Sequence, residues 1–192
     1  VSHSGSEVIS NPDLLLRPWE TEVVVVCARG ISAFEVAGEL NESGIDTKVL
    51  EGGMQGWKDL LLDFRVDSDV DGLDLFQVQR PGRGCFSYLL ASGGEALVID
   101  PAPDVSHYQD LAWQLGARIT SVVDTHIHAD HISGARNLAS ATRAKLRLSE
   151  AALGRGVSFR DEVTPFVDGD LVPLGDLRVE VVSLPGHTTD MS

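Results

Sequence analysis

Ser121-Val122-Val123-Asp124-Thr125-His126-Ile127-His128-Ala129-Asp130-His131 runs from an apolar, β-branched segment straight into three imidazoles and a carboxylate. Ser121–Thr125 reads as a strand, and the histidines then sit on a loop at its end. Neutral imidazole nitrogens and ionised carboxylates are the side chains that hold borderline divalent metals such as zinc or ferrous iron. Because a strand alternates its side chains, His126 and His128 are expected to point the same way. A turn at Ala129 can bring Asp130 and His131 round to a second position. Half of the chain's six histidines fall in this segment. Downstream, Asp176–Leu184 reads as another strand, followed by Pro185-Gly186-His187-Thr188. A Pro-Gly turn fixes the backbone tightly, so His187 is read as a distant ligand completing the local cluster.

Working outward, the back half alternates short strands with helices. Strands are expected at Leu73–Gln79, Cys85–Ala91, Ala96–Asp100, Lys145–Leu148 and Leu171–Leu174, with Ser92-Gly93-Gly94-Glu95 as a turn. Helices are expected at Tyr108–Leu115 and Ser133–Ala141. Asp100, at a strand end, reads equally as a partner orienting a ligand imidazole or as a turn residue before Pro101.

Thr-His-x-His-Ala-Asp-His, then Ile-Ser-Gly-Ala-Arg, then Pro-Gly-His-Thr, resembles the metallo-β-lactamase fold, in its glyoxalase II and persulfide dioxygenase branch. The resemblance covers roughly residues 73 to 192. It implies that His126, His128 and His187 form one metal position and that Asp130 with His131 forms a second. It makes Asp130 a candidate catalytic residue as well as a ligand. Persulfide dioxygenases of this branch use one iron, held by the residues matching His126 and His187 and by a later aspartate. That aspartate and a further histidine follow the Pro-Gly-His-Thr turn in the family, so the C-terminal part of the sandwich is expected to be missing here.

The front of the chain carries a different pattern. Glu22–Val26 is a continuous apolar, β-branched run ending in Cys27-Ala28-Arg29-Gly30-Ile31-Ser32. Ser32 is expected to cap a helix from Ala33 to about Glu42, with Phe34, Val36, Ala37 and Leu40 at near-helical spacing. Thr47–Leu50 reads as the next strand, and Glu51-Gly52-Gly53-Met54-Gln55-Gly56-Trp57 as a Gly-rich turn into a short helix. This order implies an α/β layer with a parallel strand pair. A cysteine between strand and helix faces helix N–H groups that stabilise thiolate, and Arg29 adds charge nearby. The bland reading is a buried structural cysteine. The loop and the Glu-Gly-Gly-Met-x-x-Trp turn resemble a rhodanese domain over roughly residues 1 to 62. By that resemblance Cys27 is the sulfur-accepting nucleophile, and the amides of Ala28, Arg29, Gly30, Ile31 and Ser32 cradle its persulfide. Family loops carry a basic residue where this chain has Ser32. The family's first strands would precede Val1, so the front of the domain is expected to be missing.

The fold expected is therefore α/β. A partial rhodanese-like domain spans residues 1–66, an acidic linker 67–72, and the N-terminal part of a metallo-β-lactamase αβ/βα sandwich 73–192. The linker reading rests on Asp63, Asp67, Asp69, Asp71 and Asp74, since clustered like charges repel and solvate.

A net charge of −14, with twelve of fifteen basic residues Arg and no basic stripe, argues against nucleic acid and anionic membrane as partners. No apolar run approaches the roughly 18–20 residues of a membrane span. The acidic, Lys-poor composition fits a protein of high-salt surroundings or an acidic mesophilic enzyme. Cys27 and Cys85 are the two cysteines; Cys85 reads as strand packing, and a reduced cytoplasm suits a thiol catalyst.

Taken together, the two resemblances imply a metal-dependent enzyme of sulfur metabolism, with one iron oxidising a small-molecule thiol persulfide and a sulfurtransferase domain attached. The alternative is a zinc hydrolase of thioesters resembling glyoxalase II, with one or two zinc ions. A third reading is a truncated sulfur-carrier or binding module without catalysis.

Overall fold

The computed structural model describes residues 5–11, 23–128 and 132–191. The chain forms two compact units, Val1–Leu60 with Pro81–Arg83 and Leu61–Arg80 with Gly84–Ser192. The division falls at Leu60 rather than at residue 66. The acidic stretch 67–72 is not a linker between units: it joins two antiparallel strands inside the second.

In the first unit, α1 (Gly5–Ser10) precedes β1 (Val23–Val25), α2 (Ile31–Glu42), β2 (Thr47–Val49) and α3 (Gly53–Asp59). β1 and β2 pair in parallel, Val24 against Lys48, as strand–helix–strand order requires. The buried stripe of α2 is Ala33, Ala37 and Leu40, a spacing of four and three residues that lies on one helix face. Phe34, expected on that face, is exposed. The cap differs too: α2 starts at Ile31 behind Gly30, which is left-handed at φ 81 and supplies no side-chain bond. Ser32 lies inside the first turn, where its hydroxyl is free to serve Cys27.

The second unit is built on a seven-stranded sheet in sequence order: β3 (Leu62–Val66), β4 (Asp74–Arg80), β5 (Cys85–Ser92), β6 (Glu95–Ile99), β7 (Arg118–Val123), β8 (Lys145–Ser149) and β9 (Val163–Phe166). β3 to β6 pair antiparallel through short turns; β6 to β9 pair parallel. Parallel neighbours need crossovers, supplied here by α4 (Val105–Gln114), α5 (Ala135–Thr142) and α6 (Glu150–Leu153). Alternation along the strands separates two faces. Val78, Leu89, Val98, Val122, Leu146 and Leu148 pack against Tyr108, Leu111, Leu138 and Ala139 of the helices. On the other face Leu97, with Leu90, Ile99 and Val123, meets Val172 and Leu174. Those two belong to the antiparallel hairpin β10 (Leu171–Leu174) and β11 (Leu177–Glu180). Each leucine fully withdrawn from water contributes about 1.5–3 kcal/mol before entropy. The interior of β6 is buried on both faces, which explains its unbroken run Ala96-Leu97-Val98.

Tyr108 fixes α4 to the sheet. It is fully buried, its hydroxyl lies 2.6 Å from Ser87 Oγ, and it accepts the Ala102 N–H at 2.8 Å. That bond holds the chain just after Asp100, where the site begins.

Candidate functional site

The site lies at the carboxyl ends of β6, β7 and β8, where an open α/β sheet presents loops to ligands. Asp100 leaves β6 with φ 51, a left-handed conformation that Asp tolerates better than most residues. Its N–H donates to Val123 O at 2.8 Å, and its carboxylate takes the Thr125 N–H on Oδ1 and the Thr125 hydroxyl on Oδ2, both at 2.7 Å. Because the Thr125 N–H is spent on this side chain, β7 stops at Val123 and not at Thr125 as expected. His126 and His128 lie beyond the strand, yet their rings pack with centroids 4.2 Å apart.

The same carboxylate assigns the tautomers. The single Thr125 hydroxyl proton goes to Asp100, so at 2.9 Å Thr125 Oγ1 accepts from His126 Nδ1, leaving Nε2 with a lone pair. His128 Nε2 lies 3.1 Å from Asp100 Oδ1, so it carries its proton there and leaves Nδ1 with its lone pair. Asp100 is thus the orienting partner of an imidazole, beyond its place before Pro101. Asp124 Oδ1 takes the Ser133 hydroxyl at 2.8 Å. Burial first, then the charge of Asp100, pushes the Asp124 carboxyl up to about 6. Asp100, Asp124 and His128 bring one side-chain oxygen or nitrogen each within 4.8 Å of one another, a group that could hold a metal ion only with His128 Nε2 deprotonated, the opposite tautomer to the one that Asp100 holds.

His187 comes to the same place from 61 residues away in sequence (187 minus 126). Its ring stands edge-on to His126 with centroids 5.1 Å apart. The turn that carries it is closed by Leu184 N–H to Met191 O at 3.2 Å and Gly186 N–H to Thr188 O at 3.1 Å. Burial first, then the positive charge that His128 and His187 would carry, lowers the His126 pKa and favours the neutral, ligating form. Three imidazoles gathered here, two with their proton-bearing nitrogens already committed to oxygens, fit a borderline divalent cation. Asp130 and His131, the expected second position, lie outside the described residues.

Two further residues hold this arrangement: Gly134, which the sequence offers only as part of Ile-Ser-Gly-Ala-Arg, and Asp190, which no motif in the sequence singles out. Gly134, before α5, donates its N–H to Pro101 O at 2.8 Å, and a Cβ there would stand 2.1 Å from Ala102 O. Only glycine allows that backbone approach, which accounts for its place in Ile-Ser-Gly-Ala-Arg. Asp190 is buried; Oδ2 accepts the Ile127 N–H at 2.9 Å, Oδ1 pairs with Arg155 at 2.5 Å, and its carbonyl accepts from Ser149 Oγ at 2.8 Å. Burial alone would raise its pKa, but the Ile127 amide and the Arg155 guanidinium outweigh burial and hold it below the ordinary carboxylate range. An aspartate three residues after His187 was the available signal; its partners 35 to 63 residues away were not readable.

In the first unit, the Gly30 N–H donates to Cys27 Sγ at 3.1 Å. The Cys27 thiol is lowered from 9.0 to about 7, chiefly by the Ser32 hydroxyl, with the Ala33, Arg29 and Gly30 amides adding to it against desolvation. Arg29 acts here through its backbone. The loop is backed by α3: Met54 N–H donates to Cys27 O at 2.9 Å and Gln55 N–H to Ala28 O at 3.0 Å. A Cβ on Gly53, at φ 59, would stand 2.1 Å from Cys27 O. The Glu-Gly-Gly-Met turn therefore supports the cysteine loop through contacts that need glycine. Cys27 and Cys85 are not joined in a disulfide, and Cys85 opens β5 half-buried.

The sequence model of the metallo-beta-lactamase superfamily matches residues 80–192. The chain belongs to the metallo-beta-lactamase superfamily. A hydroxyacylglutathione hydrolase of Anaeromyxobacter dehalogenans is 36% identical to it over 118 residues, covering 59% of this chain and 43% of the relative. The mitochondrial persulfide dioxygenase ETHE1 of Homo sapiens is 33% identical over 117 residues, covering 59% of this chain and 44% of its own length. The chain thus spans less than half the length of these relatives. A metallo-beta-lactamase structure from Staphylococcus aureus subsp. aureus COL superposes with a TM-score of 0.56 at 29% identity, over 63% of this chain and 36% of that one. Its named metallo-beta-lactamase superfamily relatives are enzymes, hydrolase or dioxygenase. Superfamily membership and the Asp/His group together support metal binding. The family match begins at residue 80 and leaves the Cys27 loop outside it. No helix among the described residues is long and apolar enough to cross a membrane.

Proposed function

We propose that this chain is part of a metal-dependent enzyme of sulfur metabolism, acting on a small-molecule thiol persulfide. His126, His128 and His187 would form the metal position, with His126 and His187 as the direct ligands of one iron, and Cys27 would carry sulfane sulfur in a rhodanese-like unit. The observation that carries this reading is the pairing, in one chain, of an imidazole cluster with a cysteine whose thiolate is favoured near neutral pH. A cysteine persulfide is the product of one chemistry and kin to the substrate of the other. Bound iron would supply open positions for O₂ and a sulfur ligand. The protein's own part is to keep two imidazoles in opposite tautomers through Asp100 and Thr125, and to offer the Cys27 sulfur beside helix amides.

A second reading, hydrolysis of a thioester with zinc, is favoured by the full His-x-His-x-Asp-His set in the sequence, which includes Asp130 and His131. It is also favoured by relatives named hydroxyacylglutathione hydrolase. Zinc would lower the pKa of bound water toward ~7.

Elemental analysis of anaerobically purified protein separates the two. About one iron per chain with O₂ uptake on a low-molecular-weight persulfide is the expected result. Zinc, with hydrolysis of a hydroxyacylglutathione and no O₂ uptake, would replace the first reading by the second. Sulfur transfer to cyanide that survives Cys27→Ser would remove the role given to Cys27.

A further inference from the structure

We propose that Asp190 is a positioning residue for the metal centre, locking the loop of His126 and His128 to the turn of His187. The inference rests on the reading that these three histidines form one metal position. Ile127 sits between the two loop histidines, and its N–H has no strand partner, because β7 has ended at Val123. Asp190 Oδ2 supplies the acceptor at 2.9 Å, across 63 residues of chain. Asp190 is itself only three residues from His187, inside the turn closed by Leu184 and Met191. One carboxylate therefore joins the two ligand-bearing segments directly.

The rest of its surroundings fix the carboxylate in turn. Arg155, just after α6, neutralises it at 2.5 Å, with the Asp190 side chain fully shielded and the Arg155 side chain 48% exposed. Ser149 bonds the Asp190 carbonyl at 2.8 Å and also accepts the Ala152 N–H at 3.1 Å as the N-cap of α6. A buried charge persists only when it is paired and its remaining lone pairs are bonded, and here both conditions hold. Both carboxylate oxygens are engaged, so Asp190 acts through the loop and not as a ligand. Charge alone would be met by any acid at this depth. The Ile127 bond needs the length of Asp.

Co(II) alone, titrated into the full chain against a competing chelator and followed by its visible spectrum, tests this. Asp190→Ala should weaken Co(II) binding by about 10–100-fold and shift the visible bands. Asp190→Asn keeps the acceptor for Ile127 and should return most of the affinity. Asp190→Glu keeps the charge but misplaces the oxygen and should not. Should the alanine variant fail to fold, the Asn and Glu variants carry the test alone. Leu138→Ala, in the helix-packed core, should lower the melting temperature while leaving the Co(II) spectrum unchanged. Wild-type Co(II) affinity in all Asp190 variants, or Glu matching wild type while Asn fails, would overturn the proposal. Co(II) affinity unchanged by His187→Ala would instead overturn the three-histidine reading on which it stands.

Discussion

A serine hydroxyl and three amides hold the Cys27 thiol toward its thiolate form. For Cys27 the folded pKa lies at about 7 against an ordinary 9.0, so the thiolate is the form that folding favours. The sign follows: this group's contribution to stability is fully present above pH 9 and is lost as pH falls through 7. Alkylation by iodoacetamide should therefore rise with a midpoint near pH 7, and Ser32→Ala should move that midpoint toward 9.0. A midpoint of 9.0 in the unmodified chain would show the thiol to be ordinary. Residues of this kind, unlike the histidines, signal their role through neighbours. Ser32 stands where rhodanese-like loops usually carry a basic residue, and its hydroxyl is the main support of the thiolate.

At the scale of elements, α4 is tied to the sheet by one phenol. Tyr108→Phe strips the acceptor from the buried Ala102 N–H and the partner from Ser87, and should cost about 1–3 kcal/mol in urea unfolding. A loss under about 0.5 kcal/mol would mean that water replaces both bonds. The elements themselves were largely legible. Alternation in Cys85–Ala91 and the apolar runs before Asp100 and Asp124 mark their strands, because burial on one or two faces writes itself into composition. β3 was not legible: Leu62–Val66 lies between acidic residues, and its pairing with β4 is a tertiary fact that a stretch rich in Asp conceals. β9 was hidden by Pro165, which in isolation demotes a run of Val-Thr-Pro-Phe. At the site, the histidine cluster was legible because residue type carries the chemistry. Asp190 and Gly134 were not, since each acts through backbone groups brought near only by folding.

At the scale of the whole molecule, the chain carries −14 on 192 residues. Self-repulsion of that size is screened when the Debye length falls from about 10 Å at 0.1 M salt to about 3 Å at 1 M. If the composition reflects salty surroundings, melting temperature and activity should be highest in molar salt; a maximum in dilute buffer would leave the acidic mesophilic reading. The sheet has its own way of staying apart from its copies. One edge is β9, where Pro165 cannot donate to an added strand. The other is the five-residue β3, where Asp63 and Arg65 alternate with Leu62, Phe64 and Val66. A passing chain would find a broken ladder at the first edge and would have to bury charge at the second. Addition of a strand at these borders is thus opposed by their residues as well as by repulsion, and the opposition from Pro165 does not depend on salt.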